Sequence, residues 1–541
     1  MTPAKMGLGI VLWAAHLCAY SMEMPHLARR GDVAQLMVDG RPFIILGGEL
    51  GNSTASNLLL LQSVWPTCKS LGLNTLLAPV YWEMLEPEET VYDFSLVDTL
   101  LIQARRYGFR LVLLWFGSWK NSMSCYAPLW VKNDPDRFPR ARDEAGRPME
   151  ILSAFYQNNR EADARAFRTL MRHLREIDGD RHTVIMVQVE NEVGMIPTAR
   201  DHVQRANELF ASEVPHALMD YLVSHREALR PELAGLWRQG GMRRRGKWEE
   251  VFGKGEHTEE LFMAWHLARY VNFVAAAGKE EYPLPMFVNA ALNRPTARPG
   301  EYPSGGPLPH LLDVWRAAAP AIDIFAPDIY FADFESWCAK YTRAGNPLFI
   351  PEAARGDDAG VHALYAFGQH HALGFSPFSI ESIPDPTVHP LGQAYRLVDQ
   401  LSPILNDAER GSQRAGVLLT QDVQSVQHRF DQYLLTVSHD FTFKWARRPE
   451  NLTSWPKVGG LIVKTGGDEF VVAGTGIIVT FSLAEETGQV VGIAQIDEGS
   501  FVDGRFVPRC RLNGDESHQG RHARIPYGHF GLQKVRLYRY W

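Results

Sequence analysis

The chain has 541 residues, of which 45% are apolar and 22% charged, and a formal net charge of −7. That length exceeds one ordinary core, so two or three domains are expected, and the apolar share excludes disorder. So weak and acidic a charge supplies no basic field for a phosphate backbone, which removes nucleic acid from the expected partners. The five cysteines, Cys18, Cys68, Cys125, Cys338 and Cys510, are scattered without a CxxC pair. No zinc site or dense disulfide framework is expected, and no metal or other cofactor is called for.

In chain order, an apolar run from Met6 to Tyr20, broken by His16, follows Lys5. Ala19-Tyr20-Ser21 then places small residues around a cleavage position, so residues 1–21 read as a signal peptide. The run is too short to anchor the chain. The expectation is an exported protein, periplasmic or extracellular, with no membrane insertion in its mature form; a buried N-terminal helix is the alternative.

Between residues 30 and 405, short runs rich in Ile, Val, Leu and Phe alternate with helix-length amphipathic stretches. Eight strands are expected: Pro42 to Glu49, Leu73 to Tyr81, Phe109 to Gly117, Thr183 to Glu190, Leu284 to Asn289, Ile322 to Asp328, Pro347 to Glu352 and Gly374 to Ile380. Helices are expected over Ser95 to Tyr107, Glu161 to Ile177 and Thr258 to Ala277. Eight such βα units close most naturally into a (β/α)8 TIM barrel, whose active site lies at the C-terminal ends of its strands. Glu49, Glu190 to Glu192, Asn289, Asp328 and Glu352 all fall at such ends. An insertion from Pro197 to Lys254, carrying Arg243-Arg244-Arg245, reads either as a lid or as a solvated excursion. From residue 406 to 541 the texture changes to alternating β-branched and polar residues with frequent glycines. This predicts an all-β, sandwich-like accessory domain that braces the barrel or binds carbohydrate.

Two strands end abruptly in carboxylates: Thr183 to Glu192, and Pro347 to Glu352, three βα units later. Cleaving a glycosidic bond needs two such groups, one to protonate the leaving oxygen and one to attack the anomeric carbon or activate water. Strands four and seven face each other across a barrel mouth, so Glu192 and Glu352 meet that demand. For either residue alone, an ion pair with a rim arginine is the competing reading. HExxH, P-loop and GxSxG motifs are missing, which leaves metalloprotease, NTPase and serine-hydrolase chemistry without their minimum parts. The 14 Trp residues also suit sugar binding, because a pyranose C–H face stacks on an aromatic plane.

The segment Gln188-Val189-Glu190-Asn191-Glu192-Val193-Gly194 resembles the Q-[IV]-E-N-E-[YF]-G motif of glycoside hydrolase family 35 β-galactosidases, with a close echo in family 42. The stretch Gly72-Leu73-Asn74, then Tyr81-Trp82-Glu83-Met84-Leu85-Glu86-Pro87, then Tyr92-Asp93-Phe94, is similar to the family's strand-two block. The resemblance implies a retaining exo-β-galactosidase that acts on a carbohydrate substrate, such as the galactose side chains of xyloglucan. It assigns the acid/base to Glu192, the nucleophile to Glu352, a hydrogen bond to the sugar 2-hydroxyl to Asn191, and a hydrogen bond to the nucleophile to Tyr330. The chain departs from the pattern at Val193, where an aromatic is usual, at Glu83 (Asn in the family) and Leu85 (His), and over Trp115 to Asn121, which lacks the family's Ala-Glu pair. By barrel position, Glu49, Tyr81, Glu83, Asn289, Asn293 and Glu381 are further candidates to line the sugar subsite. Trp119 and Trp337 read first as core or rim packing, with a sugar-stacking platform as the alternative for each. The competing functions are another retaining β-glycosidase of the same clan and a catalytically silent carbohydrate-binding barrel.

Overall fold

The computed structural model describes residues 23–31, 33–407, 413–450 and 452–541. The signal-peptide segment, residues 1–21, lies outside them. Eight parallel strands are formed: β1 (Ile45–Glu49), β2 (Thr75–Tyr81), β3 (Arg110–Lys120), β4 (Val184–Asn191), β5 (Met286–Ala291), β6 (Ile324–Ile329), β7 (Phe349–Ile350 with Glu352–Ala353) and β8 (Gly374–Phe375). They pair in sequence order, and β8 returns to β1 through Gly374↔Ile45 and Phe375↔Leu46.

Closure depends on β7. Its first half pairs with β8 (Phe349↔Gly374, Ile350↔Phe375), whereas its second half pairs with β6 (Asp328↔Glu352, Ile329↔Ala353). The break falls at Pro351, which has no N–H to give a ladder. The ring is therefore a (β/α)8 barrel, as the alternation of elements predicts.

Strand one begins only at Ile45, because Pro42 and Phe43 pair in a separate antiparallel meander, and two strands end three or more residues from the expected position. β8 stops at Phe375 because Pro377 cannot donate, and Ser379 turns into the left-handed region at φ 53°. The chain beyond still meets β1, where the Glu49 N–H donates to Pro377 O at 2.9 Å. β3, in contrast, runs past Gly117 to Lys120 and pairs Lys120 with Asn191 of β4.

Outside the barrel, the helices Gln157–Asp178 and Glu256–Glu281 lie side by side. The first buries Ala162, Ala166, Phe167, Leu170, Met171 and Leu174, the i, i+3 and i+4 stripe of an amphipathic helix. The two approach closely at Gly278, where an added Cβ would stand 2.3 Å from the Phe167 ring. An antiparallel meander, His26–Arg30, Val33–Val38 and Arg41–Phe43, covers the N-terminal end of the barrel. Its Asp39 binds Arg110 at the start of β3 and His182 ahead of β4. That end is thus closed, and the C-terminal ends of the strands are left to form a mouth.

After the helix Pro390–Leu405 come two antiparallel sheets, one of six strands and one of four. Alternate residues of the six-stranded sheet enter different cores. Leu461, Val463, Val471 and Ala473 pack with the barrel, while Val458, Ile462, Phe470 and Val472 pack between the sheets. Burial on both faces explains why Val458–Lys464 reads as nearly continuous apolar sequence, whereas along Tyr433–His439 in the outer sheet fully buried and half-buried positions alternate strictly. The insertion after β4 folds into four short helices, Gln204–Phe210, His216–Ser224, Pro231–Gln239 and Trp248–Phe252, and leaves Arg243, Arg244 and Arg245 exposed. Among the described residues, no helix is long and apolar enough to cross a membrane. Cys68, Cys125, Cys338 and Cys510 are unpaired thiols.

Candidate active site

β4 ends in an unusual backbone. Glu190 and Glu192 both take positive φ, 62° and 46°. For residues with a Cβ this costs about 1–3 kcal/mol each and persists only where surrounding contacts fix it. Here they do. The Glu192 N–H donates to Asn289 Oδ1 at 2.9 Å, and the Glu192 carbonyl accepts the Ser122 hydroxyl at 2.6 Å. The Trp119 N–H donates to Glu190 Oε2 at 2.9 Å.

The twist sends the two glutamates to different places. Glu190 turns into the barrel wall beside Asp163, which accepts from Trp115 Nε1 at 2.9 Å, Ser118 Oγ at 2.5 Å and Tyr270 OH at 3.2 Å. A Cβ at position 117 would stand 2.8 Å from Glu190 Oε1 and 3.1 Å from Asp163 Oδ1, so this carboxyl pair needs Gly117. Burial, then the charge of Asp163, pushes the Glu190 pKa well above the usual carboxylate range. Glu190 therefore joins β3 to β4 beneath the mouth.

Glu192 instead faces Asp328 of β6 and Glu352 of β7. One carboxylate oxygen from each lies within 4.8 Å of the others, and all three residues are buried. Asn289 connects them: its Nδ2 donates to Asp328 Oδ2 at 2.8 Å and to Asn191 Oδ1 at 3.3 Å. Gln188 Nε2 also donates to Asn191 Oδ1, at 2.9 Å. Glu49 of β1 is fully buried at the same end of the barrel, and neither of its carboxylate oxygens has a hydrogen-bond partner among the described residues. Lys120, only 5% exposed, supplies the opposing charge.

Burial, then the Glu352 charge, raises the Glu192 pKa to about 7, with Lys120 opposing. The same two causes hold Glu49 and Asp328 well above the usual carboxylate range, again against Lys120. Glu192, Asp328 and Glu352 also form the one group of ionisable side chains among the described residues with the spacing to hold a metal ion. Their oxygens would suit a hard divalent cation.

The Tyr330 hydroxyl donates to Glu352 Oε2 at 2.8 Å, with its ring half-exposed at the mouth. A hydrogen bond to a charged group contributes about 1.5–3 kcal/mol. Tyr330→Phe is therefore expected to lower kcat/KM by roughly tenfold to a hundredfold and the melting temperature by no more than a few degrees, as steady-state kinetics and thermal unfolding would show.

The other predicted positions are placed elsewhere. The Tyr81 hydroxyl is committed to Asn52 O at 2.7 Å, and Glu381 Oε1 holds the same loop through Gly51 N (2.9 Å) and Thr54 Oγ1 (2.5 Å). Both support the loop after β1. Glu83 sits on the short helix Trp82–Leu85 and pairs with Lys132 at 3.3 Å, outside the carboxylate cluster. Trp119 is fully buried because β3 continues through it, and its ring packs edge-on against Tyr270 at 4.6 Å. It offers no open stacking face. Trp337 is 3% exposed, with Lys340 Nζ 4.1 Å from its ring centre, and it and Asn293 line a separate cavity. Sequence reasoning missed Lys120 altogether and recognised Asp328 only as a strand end.

Fold and mouth together define a (β/α)8 barrel with facing carboxylates on β4 and β7. The family model for glycoside hydrolase family 42, described as "Beta-galactosidase", matches residues 61–230, and a domain of unknown function (DUF5597) matches residues 391–524. This corrects the family 35 resemblance: the segment that contains Gln188 to Gly194 is matched by family 42, the family whose echo that motif also carries. No curated protein matches the chain. Similar solved structures include a catalytic mutant of Gan42B, a GH42 beta-galactosidase from G. stearothermophilus (17% identity, TM-score 0.45, 67% of this chain and 57% of that one). Others are the beta-galactosidases of the psychrophilic Marinomonas ef1 (12%, 0.44, 67% and 61%) and of Rahnella sp. R3 (15%, 0.46, 66% and 56%). The chain spans 56–61% of the length of these structures.

Proposed function

We propose that the protein is a retaining β-galactosidase with Glu192 as acid/base and Glu352 as nucleophile. The observation that carries this reading is the approach of the Glu192 and Glu352 oxygens to within 4.8 Å on facing strands. Retaining glycosidases hold their carboxyl groups about 5–5.5 Å apart, whereas inverting enzymes keep them about 6.5–9.5 Å apart to admit a water. Galactose as the sugar is supported by the family 42 match over the segment that contains β3, β4 and Glu192.

In the first step, ionised Glu352 attacks the anomeric carbon while protonated Glu192 gives its proton to the departing oxygen, leaving a glycosyl ester on Glu352. In the second, Glu192 takes a proton from water, the resulting oxygen displaces Glu352, and galactose leaves with its β configuration retained. The charge of Glu352 and the burial of Glu192 keep the acid protonated near neutral pH. To Asn191 Nδ2, whose contact with Asn121 Oδ1 is a long 3.4 Å, this reading assigns the donation to the sugar 2-hydroxyl. Asp328 and Asn289 hold the frame between acid and nucleophile.

The test is a panel of aryl β-glycosides run with the wild-type protein and Glu352→Gln. Release is expected from the β-galactoside and is expected to vanish in the variant. Release unaffected by the substitution would refute the nucleophile, and preference for another glycoside would refute galactose.

A further inference from the structure

Beside the mouth, on the β5–β6 side, lies a cavity of about 660 Å³. Its walls come from elements that leave the site strands. Asn293 follows β5, Trp337 and Lys340 lie on the helix Phe334–Tyr341 after β6, and the helix Pro231–Gln239 comes from the insertion. The ionisable lining is lopsided: Arg230, Lys340, Arg343, His257 and His310 face it, against the single carboxylate of Glu232.

Two of these groups have a carboxylate behind them: the charge of the buried Asp313 acts on Arg230, and Glu260 pairs with His310. Arg230 Nη1 donates to Lys340 O at 3.1 Å, and the neighbouring Arg316 donates through Nη2 to Arg343 O at 3.3 Å. Lys340 Nζ rests over the Trp337 ring. Asp313 also accepts the Arg230 backbone N–H at 2.7 Å, and the Glu260–His310 contact is 2.9 Å. Among the described residues, neither Lys340 nor Arg343 forms an ion pair, which leaves their two charges to face Glu232 across the cavity. Clustered like charges are costly and attract a counter-anion. Leu236, Pro295 and Pro309 complete the wall with apolar surface, which suits the C–H face of a sugar ring.

We propose that this cavity binds a sugar residue carrying an anionic group, a uronate carboxylate or a sulfate ester, on the carbohydrate whose galactoside enters the mouth. The sugar identity rests on the glycosidase reading; the anion preference rests on the cavity alone. Guanidinium and ammonium groups bind either anion, with arginine favouring two-point contact.

Titration calorimetry of the full chain with glucuronate, galactose 6-sulfate, neutral glucose and inorganic sulfate tests this at low salt. One or both sugar acids are expected to bind at least tenfold tighter than glucose, and whichever binds identifies the source of the anion. Binding is expected to weaken as salt is added, and to fall at least tenfold in a Lys340→Gln/Arg343→Gln double variant with unchanged melting temperature. Arg343→Gln alone, at an exposed position, is the variant least able to disturb folding and is expected to show part of the loss. Hydrolysis of an uncharged aryl β-galactoside is expected to be equal in wild type and variants, so loss of the glycosidase reading would appear in that assay and not in the titration. Equal binding of glucose and the sugar acids, or undiminished binding in the variants, would overturn the proposal. Inorganic sulfate binding as tightly as both sugar acids would overturn its carbohydrate half.

Discussion

Glu192→Gln is expected to slow hydrolysis by about 10²–10⁴-fold where the leaving group needs a proton, and far less where it leaves as a stable anion. The difference follows from the two steps. Without the acid, a good leaving group still departs, the Glu352 ester forms, and the intermediate accumulates because no base activates water. Azide needs no base, so it should restore turnover and give a β-glycosyl azide, since Glu352 occupies the α face. Glu352→Gln removes the nucleophile itself, so its turnover is expected to fall below detection for every leaving group. In Glu352→Gly, which also empties the α side, azide could react only by direct attack on the substrate, giving an α-glycosyl azide. Product anomers read by NMR would settle the roles, and the opposite pairing of variant and anomer would exchange the two assignments.

The second large effect is on pH dependence. Because Glu192 must be protonated and its pKa is raised to about 7, kcat/KM is expected to fall above that pH, by about tenfold per unit. Lys120 lowers the Glu192 pKa, so removing its charge in Lys120→Met raises it further. The acid then stays protonated to higher pH, and the alkaline limb moves upward. The same substitution removes the countercharge facing Glu49 and Asp328, so the peak rate should drop while the profile shifts. An alkaline limb that stays in place in Lys120→Met, measured from kcat/KM across pH, would show that Glu192 does not control it.

The barrel was legible because its strands are apolar runs that end in polar groups, and Glu192 and Glu352 were legible because barrel topology assigns a place to such ends. Asp328 was visible at an end but not as a neighbour of Glu352; that follows from the Asp328↔Glu352 register, which sequence does not show. Lys120 was invisible for a physical reason. A lysine after Ser118-Trp119 reads as solvent-facing, and it is buried only because β3 extends to meet Asn191. The same extension buries Trp119 and removes it as a platform. Glu83 failed in the opposite sense, since a carboxylate just past β2 is drawn to Lys132 by a one-turn helix that the sequence gives no reason to expect. The resemblance to family 35 did not hold because a seven-residue motif shared by two families cannot separate them, whereas the longer segment 61–230 matches the family 42 model.

The split of β7 at Pro351 divides the ladder of one strand between two neighbours. Glu352 belongs to the half strand that is registered on β6, while the other half carries β8. Asn289, Asp328 and Glu352 are therefore tied together by register and by the Asn289–Asp328 hydrogen bond, so changes to β5 or β6 bear first on that cluster. The β8 side, which carries the β-sheet domain, reaches the Glu352 half strand through local contacts such as Phe378 N–H to Ala353 O at 3.0 Å, and not through a continuous ladder. Remodelling of the appended domain would thus be felt at the mouth only as far as those contacts carry it.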